Sequence, residues 1–98
     1  MTIMRFTWDE DRSRRNLAKH KIGFETARLV FEDPFHVSRL ERFVEGEERW
    51  QTMGLIGSVV VVLVAHTYRE ERDEAEIRII SARKATPHER RYYEQNRT

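Results

Sequence analysis

Residues 77–94 read IRIISARKATPHERRYYE, and this stretch decides the C-terminal part of the fold. It begins as an apolar strand that contains Arg78 and continues into a cationic turn at Arg83 and Lys84. The TPHE sequence at residues 86–89 is a capping box with proline at the first helical position, which predicts a helix to about residue 96. Arginines on a strand beside a polar turn suit phosphate binding better than core packing, so RNA or another phosphate-rich partner is the first hypothesis.

The strand before this stretch is predicted from an uninterrupted apolar run. VVVVLVA occupies residues 59–65, and a run that is apolar on both faces is typical of a central, buried strand, here over residues 58–67. A turn at Gly57 should join it to the preceding strand. The other predicted pieces are strands over residues 3–8, 35–40, 50–56 and 77–81, a charged loop over residues 45–48, and a solvated hairpin loop over residues 69–75.

Two helices are predicted between the first two strands. Thr7 and Asp9 are equally suitable N-caps for the first helix, which should run to about Lys19. The second carries apolar residues at helical spacing over residues 24–31 and should end before Pro34, because the residue before a proline avoids the α region. The order β-α-α-β-β-β-β-α predicts an α+β fold, an antiparallel β-sheet with two N-terminal helices and one C-terminal helix packed on one side.

Length and composition restrict the class of protein. The chain has 98 residues, of which 36% are charged and 39% hydrophobic, so we expect one soluble domain over residues 1–98. There is no cysteine, which excludes disulfides and cysteine-based metal sites. The N-terminal residues do not resemble a signal peptide, and the longest apolar run is too short to span a bilayer. These features predict a cytoplasmic protein with no membrane partner.

The net charge of +1 hides a segregation of charge along the chain. Residues 1–30 carry seven basic and four acidic residues, residues 31–76 carry five and eleven, and residues 77–98 carry six and two. If the two basic ends meet in space, they form a positive face that attracts phosphates. The alternative is that these charges form an ordinary solvated surface.

Four separated motifs resemble the BrnT family of toxins from bacterial type II toxin–antitoxin systems. The resemblance implies a fold like that of the RelE group of toxins, an RNA-cleaving activity that stops translation, and a neutralising antitoxin. It further implies a BrnA-like antitoxin of the ribbon-helix-helix type, which binds operator DNA together with the toxin in a heterotetramer. The motifs are WDEDRSRRNLAKHKIGFETARLVFEDP at residues 8–34, EERWQTMG at residues 47–54, VAHTYR at residues 64–69, and the stretch at residues 77–94.

The chain departs from the family pattern at four positions, one of which is Arg12, where a lysine is common in the first helix. Lys21 stands where a glycine usually follows Lys-His, so the first helix is expected to stop less sharply. His66 replaces a tyrosine, and Glu70 replaces a glycine ahead of a longer, acidic loop. These changes could alter access to the site.

Candidate catalytic residues follow from the needs of metal-free RNA cleavage, which are a base, an acid, and cations that stabilise the charged phosphorane. Arg78 and Arg83 offer planar forks that match the geometry of a phosphate, and we predict that both grip the scissile phosphate. Glu48 is the candidate base, or else a carboxylate that orients an arginine. Lys19 and His20 lie near the end of the first helix, and a histidine titrates near neutral pH.

Candidate RNA-binding residues surround this set. Arg49, Arg69 and Lys84 extend the cationic cluster, while Trp8 and Tyr68 could stack on an unpaired base. Each residue also has an ordinary structural interpretation, such as an ion pair across the sheet for an arginine or core packing for the tryptophan. The histidines lack the spacing of metal ligands, so no metal or cofactor is predicted.

Two functions remain in competition. One is a ribonuclease toxin with an arginine-rich, metal-independent site. The other is a non-catalytic module that binds a partner protein and acts with a DNA-binding antitoxin as an operator repressor, which the acidic middle of the chain favours.

Overall fold

Five strands and three α-helices make up residues 2–97, the part of the chain that the computed structural model describes. The α+β class is therefore confirmed, with the predicted order of strands and helices. No helix in this range is long and apolar enough to cross a membrane. The elements are β1 (Ile3–Thr7), α1 (Glu10–His20), α2 (Phe24–Ala27), a 3₁₀ helix (Arg28–Glu32), β2 (Val37–Val44), β3 (Glu47–Ile56), β4 (Val60–Glu71), β5 (Glu74–Lys84) and α3 (Pro87–Asn96).

The five strands form one sheet in the order β1-β5-β4-β3-β2. Three of the four pairings are antiparallel, and the apolar run lies on the central strand β4, as predicted. The pairing of β1 with β5 is parallel, from Ile3 opposite Glu74 to Thr7 opposite Arg78. The sheet is therefore mixed, and the prediction of a purely antiparallel sheet is wrong for β1. Parallel neighbours need a long crossover, and most of the chain lies between these two strands.

The strands extend further into polar sequence than predicted. β3 begins at Glu47, so the loop before it shrinks to a turn at Glu45 and Gly46, both with positive φ as in a type I′ hairpin. The hairpin loop predicted over residues 69–75 shrinks to a turn at Arg72 and Asp73, and the flanking residues continue the ladder between β4 and β5. Cross-strand hydrogen bonds continue here although few side chains are apolar. Likewise, β5 runs on to Lys84 and β2 covers residues 37–44.

The first helix has the capping chemistry that the sequence indicates. Asp9 is the N-cap and its side chain accepts a hydrogen bond from Arg12 N at 3.0 Å, which lowers the pKa of that carboxyl. The helix stops sharply at His20, because Lys21 takes the left-handed conformation at φ 64° and donates its N–H to Leu17 O. The expectation that the first helix would end less sharply is therefore wrong. Lys21 adopts the glycine-like conformation despite its side chain.

The second predicted helix is α-helical only over Phe24–Ala27 and then tightens into the 3₁₀ helix. Phe24, Ala27 and Val30 are all fully buried at a spacing of three residues. A 3₁₀ helix has three residues per turn, so it keeps Val30 on the buried side. Val30 packs directly against Gly54 of β3. The two are so close that a Cβ added to Gly54 would be 2.6 Å from Val30 O.

The two faces of the sheet carry different layers. Successive residues of β4 point to opposite faces. Val62 and Val64 pack with α2 and the 3₁₀ helix, while Val61 and Leu63 pack with Tyr93 of α3. The prediction that all helices pack on one side is therefore wrong, because α3 lies against the end of the opposite face. We call the face of Val62 and Val64 the helix-covered face, and the face of Val61 and Leu63 the arginine face.

Candidate functional site: an arginine row on the open sheet face

Three arginines stand side by side across the arginine face. Arg42 of β2 is the cross-strand partner of Arg49 of β3, which is opposite Thr67 of β4, which in turn is opposite Arg78 of β5. Direct cross-strand partners point to the same face, and neighbouring strands lie about 4.8 Å apart. We call Arg42, Arg49 and Arg78 the arginine row. Two hollows of about 220 and 170 Å³ lie along the row, and Arg49 lines both of them.

β-Bulges bring the arginines to one face. Arg78 and Arg83 are an odd number of residues apart, so an unbroken strand would turn them to opposite faces. Ser81 pairs with Ala65 and Ile79 with His66, which leaves Ile80 as an extra residue of β5. The extra residue shifts the in–out alternation of β5 by one position. Arg83 therefore points to the same face as Arg78. Bulges commonly re-aim side chains next to functional sites.

Glu47 contacts two arginines of the row, whereas Glu41 lies 3.5 Å from Arg42 alone. Oε1 of Glu47 accepts from Arg78 at 3.0 Å and lies 3.5 Å from a nitrogen of Arg49. Each arginine uses a single terminal nitrogen, so the rest of both guanidinium forks remains for another acceptor. Arg49 Nε is buried and has no hydrogen-bond partner among the described residues. Glu47 therefore holds both guanidinium groups in place but uses only some of their hydrogen-bond donors.

Arg83 has a different environment from Arg78. Its two terminal nitrogens donate to both carboxylate oxygens of Glu89 on α3, at 2.7 and 3.0 Å. This bidentate pair raises the pKa of Arg83 and lowers the pKa of Glu89 from 4.5 to about 2. The two arginines are five residues apart, roughly 15 Å along the strand. Arg78 and Arg83 thus have separate carboxylate partners at opposite ends of the site.

A buried asparagine of α1 fixes the strand beside Arg83. Asn16 donates to Ile22 O at 2.7 Å and Ala82 O at 2.8 Å, and accepts from Ala82 N at 3.2 Å. These bonds hold β5 against α1 at the residue before Arg83. The backbone position of this arginine is therefore set by the N-terminal helix as well as by the sheet.

Lys19 and His20 lie at the end of α1 beside this part of the sheet. They line an open hollow of about 460 Å³ together with Lys21, Arg83 and Lys84. The hollow therefore brings together basic residues from both basic ends of the chain. Arg78 lines a different hollow, with Arg12 and Arg49. The structure therefore divides the predicted catalytic residues into two groups, with Arg83 between them.

Glu48 and Tyr68 point away from the arginine row. Glu48 lies in strand β3 and not in a loop, between Glu47 and Arg49, so alternation turns it to the other face. Tyr68 precedes exposed Arg69 and follows Thr67, and its hydroxyl donates to Glu70 at 2.5 Å, which raises the pKa of the phenol. Because alternate residues share a face, Arg69 is on the side of Thr67 and the row. The structure therefore brings Arg69 near the row and Glu48 and Tyr68 away from it.

Trp8 is placed as a packing residue at the start of α1. Its ring meets Phe24 edge to face at a centroid distance of 6.4 Å, and its Nε1 donates to Glu10 at 2.8 Å. Partial burial and two contacts reduce the surface it can offer to a base. Stacking by Trp8 stays a prediction.

His66 stands within a buried hydrogen-bond chain on the helix-covered face. Its Nε2 is 2.7 Å from Thr52 Oγ1, which is 2.7 Å from Ser38 Oγ, and its Nδ1 is 2.9 Å from Thr67 O. Burial lowers the pKa of this imidazole, which favours the neutral form. Within residues 2–97 no group of three His, Asp or Glu side chains is arranged to hold a metal ion.

Three residues at this face, Glu47, Arg42 and Arg12, were not predicted from the sequence to belong to the site. Arg12 lines the smaller hollow with Arg49 and Arg78. Glu47 and Arg49 are two residues apart, a spacing that would have placed them on one face if the strand had been extended to residue 47. For Arg42 no sequence signal was available, because its orientation depends on a second bulge, between Leu40 and Arg42.

The fold and this face define a class of protein. It is a small α+β protein with arginines on an open sheet face, and some of their N–H donors are not used within the protein, as binding of a polyanion requires. Comparison with known proteins narrows the class. The family model described as "Ribonuclease toxin, BrnT, of type II toxin-antitoxin system" matches residues 8–89. Among solved structures, the chain is similar to the Brucella abortus ribonuclease toxin BrnT, known from a crystal structure at 1.1 Å. The two are 25% identical with a TM-score of 0.59, over 86% of this chain and 99% of that one.

No curated protein sequence matches the chain significantly. The family match covers most of the chain, so the chain belongs to the BrnT family of ribonuclease toxins of type II toxin–antitoxin systems. The resemblance seen in the sequence is confirmed. Membership implies an antitoxin partner, whereas likeness to the RelE group stays a prediction.

Proposed function

We propose that the chain is an endoribonuclease toxin that cleaves RNA on the arginine face without a metal ion and thereby stops translation. The observation that carries this proposal is the pair Arg49 and Arg78, which share one carboxylate and contact it through one terminal nitrogen each. Guanidinium groups can supply the positive charge that stabilises a phosphorane, which is the task a metal ion would otherwise perform.

The arginine face can hold several phosphates of one strand. Arg78 and Arg49 would hold the scissile phosphate, and Arg42 and Arg69 the adjoining backbone. Arg83, Lys84, Lys19 and His20 would attract a phosphate further along, since they lie at the other end of the site. Binding through so many cations should weaken steeply as salt concentration rises.

The test is cleavage of single-stranded RNA by the purified chain in the presence of EDTA. Arg78→Ala should lower the cleavage rate about 10²- to 10³-fold, as expected when one charged donor to a transition state is removed. Arg14→Ala is the matched control, because Arg14 is exposed on α1 and paired with Asp11. Full loss of cleavage on adding EDTA, or equal rates for the two variants, would contradict the proposal.

The antitoxin would be a BrnA-like protein of the ribbon-helix-helix type, binding operator DNA in a heterotetramer with two copies of each chain. We expect it to cover the arginine face and to place acidic or apolar groups there, because that face has the free cationic donors. Hydrogen exchange of the complex should protect β3 and β5 around Arg49 and Arg78. Protection confined to the helix-covered face would contradict this part of the proposal.

A second candidate, a non-catalytic partner-binding module, is favoured by exposed apolar residues on the edge strand β2. Phe43 is 62% exposed and Leu40 is 43% exposed, and exposed apolar groups commonly mark protein contacts. Expression without the antitoxin separates the two candidates. A ribonuclease toxin arrests growth and a pure binding module does not.

A further inference from the structure

We infer that Glu47 is the proton acceptor of the cleavage reaction, an inference that rests on the proposed function. Sequence reasoning assigned this task to the neighbouring Glu48. The geometry favours Glu47, because it is the carboxylate that contacts both Arg49 and Arg78. A general base must lie within hydrogen-bond reach of its proton while the phosphate is held beside it.

The single-nitrogen contacts leave room for both a carboxylate and a phosphate. Arg78 donates to Glu47 from one terminal nitrogen only, and Arg49 approaches Glu47 from one as well. Each guanidinium has five donors, so a phosphate oxygen can bind the same arginines while Glu47 stays in place. The two arginines then bring the phosphate and the carboxylate side by side. This arrangement differs from that of Arg83, whose two terminal nitrogens are both taken by Glu89.

The surroundings of Glu47 are compatible with a nucleotide. Its side chain is 42% exposed and borders an open hollow of about 500 Å³ next to Phe43 and Arg69. The charged groups around it are Arg49 on its own strand, Arg78 on β5, and Arg69, Glu45 and Glu48 along the same hollow. A sugar in this hollow can present its 2′-hydroxyl to the carboxylate.

The reaction then balances without a metal. Glu47 takes the 2′-hydroxyl proton, and the electron pair on that oxygen forms a bond to phosphorus. The bond from phosphorus to the 5′-oxygen breaks, and the leaving oxygen takes a proton from water. The products are a 2′,3′-cyclic phosphate end and a 5′-hydroxyl end, and Glu47 returns its proton to solvent.

The test compares Glu47→Gln with Glu25→Gln, which makes the same chemical change at an exposed residue of α2, outside the arginine face. Single-turnover cleavage of a fluorescent single-stranded RNA should fall about 10²- to 10³-fold in Glu47→Gln, because a positioned base contributes that much. Glu25→Gln should stay within about threefold of wild type. The acidic limb of the pH–rate profile should disappear in Glu47→Gln and return in Glu47→Asp.

Binding distinguishes a proton acceptor from a residue that only aligns the arginines. The probe is the 2′-deoxy form of the same strand, which lacks the nucleophile. Its affinity for Glu47→Gln should equal or exceed that for wild type, since a negative charge has been removed. A loss of affinity that matches the loss of rate would overturn the inference, and so would a Glu47→Gln variant that cleaves within threefold of wild type.

The outcomes also separate this inference from the proposed function. If Arg78→Ala abolishes cleavage while Glu47→Gln does not, the ribonuclease proposal stands and the role of Glu47 is refuted. If the wild-type chain cleaves no RNA, both fail. Melting curves of all variants show whether a lost rate reflects an unfolded protein.

Discussion

The ion pair between Arg83 and Glu89 yields a prediction whose size can be worked from the structure. In Glu89→Gln the bidentate contact at 2.7 and 3.0 Å is lost, while the contact of the side chain with Thr86 N can persist. The lowering of the pKa of Glu89 from 4.5 to about 2 corresponds to about 3.4 kcal/mol at 1.36 kcal/mol per pKa unit. The Arg83 side chain is 38% exposed, so solvent screens the pair and we expect about 2 kcal/mol.

The sign of the pH dependence follows from the lowered pKa. A carboxyl whose folded pKa is depressed stabilises the fold above its unfolded pKa, here 4.5, and the benefit fades as pH falls towards about 2. The difference in unfolding free energy between wild type and Glu89→Gln should therefore be full at pH 7. It should fall by more than half between pH 5 and pH 3.

Urea denaturation of both proteins at pH 7, 5 and 3 measures this difference directly. At pH 7 it should also appear as a melting temperature lowered by roughly 8–16 °C for a chain of this size. A difference that is unchanged between pH 5 and pH 3 would refute the assignment of the stabilisation to the charged form of Glu89. A difference below about 0.5 kcal/mol at pH 7 would show that the pair is fully screened.

Three further substitutions test other parts of the fold. Lys21→Gly should stabilise the protein by about 1 kcal/mol, because it relieves a left-handed residue, whereas Lys21→Ala should not; equal denaturation midpoints for the two variants would contradict this. Gly54→Ala should destabilise it by about 1–3 kcal/mol, because its Cβ would press on Val30, whereas Gly23→Ala, whose Cβ has ordinary contacts, should cost less than half as much. In His66→Phe the free energy of unfolding should depend less on pH between pH 7.5 and 5.5 than in wild type. Burial lowers the pKa of His66, so the unfolded state binds a proton more readily than the folded state does. Wild type therefore loses stability as the pH falls through 6.5. Parallel profiles for the two proteins would exclude that role.

Apolar patterns and caps carried most of the correct fold prediction. The run at residues 59–65 identified the central strand, because a strand covered on both faces must be apolar throughout. The capping box at Thr86 and Glu89 identified the start of α3, and both of its hydrogen bonds are present. These features are local and depend on a few residues, so sequence alone could identify them.

Strand ends and the outer pairing could not be predicted in this way. Glu47 and residues 69–71 extend the strands without an apolar alternation, because these residues are all charged, and over residues 74–76 the only apolar residue is the small, buried Ala75. The parallel pairing of β1 depends on a partner about 70 residues away, which no local pattern records.

The candidate site, like the fold, could be predicted only in part. Arg78 was identified because an arginine within an apolar strand is conspicuous, Arg83 because it lies in the cationic turn that follows, and Arg49 as an addition to that cluster. Their grouping depends on the bulge at Ile80, which rearranges the alternation and leaves no clear trace in the sequence. The choice of Glu48 over Glu47 followed from the predicted loop: without a strand at that position there was no alternation to decide between two adjacent glutamates.

The parallel pairing of β1 with β5 has a consequence for synthesis of the chain. Ile3–Thr7 is synthesised about 70 residues before its partner strand, so it can pair only after residues 74–78 have been made. Such non-local pairing delays folding relative to local hairpins. Arg78 lies on that same late strand, directly beside Thr7. Closure of the sheet and completion of the arginine row therefore depend on the same segment, and a nascent chain that stops before residue 74 has neither.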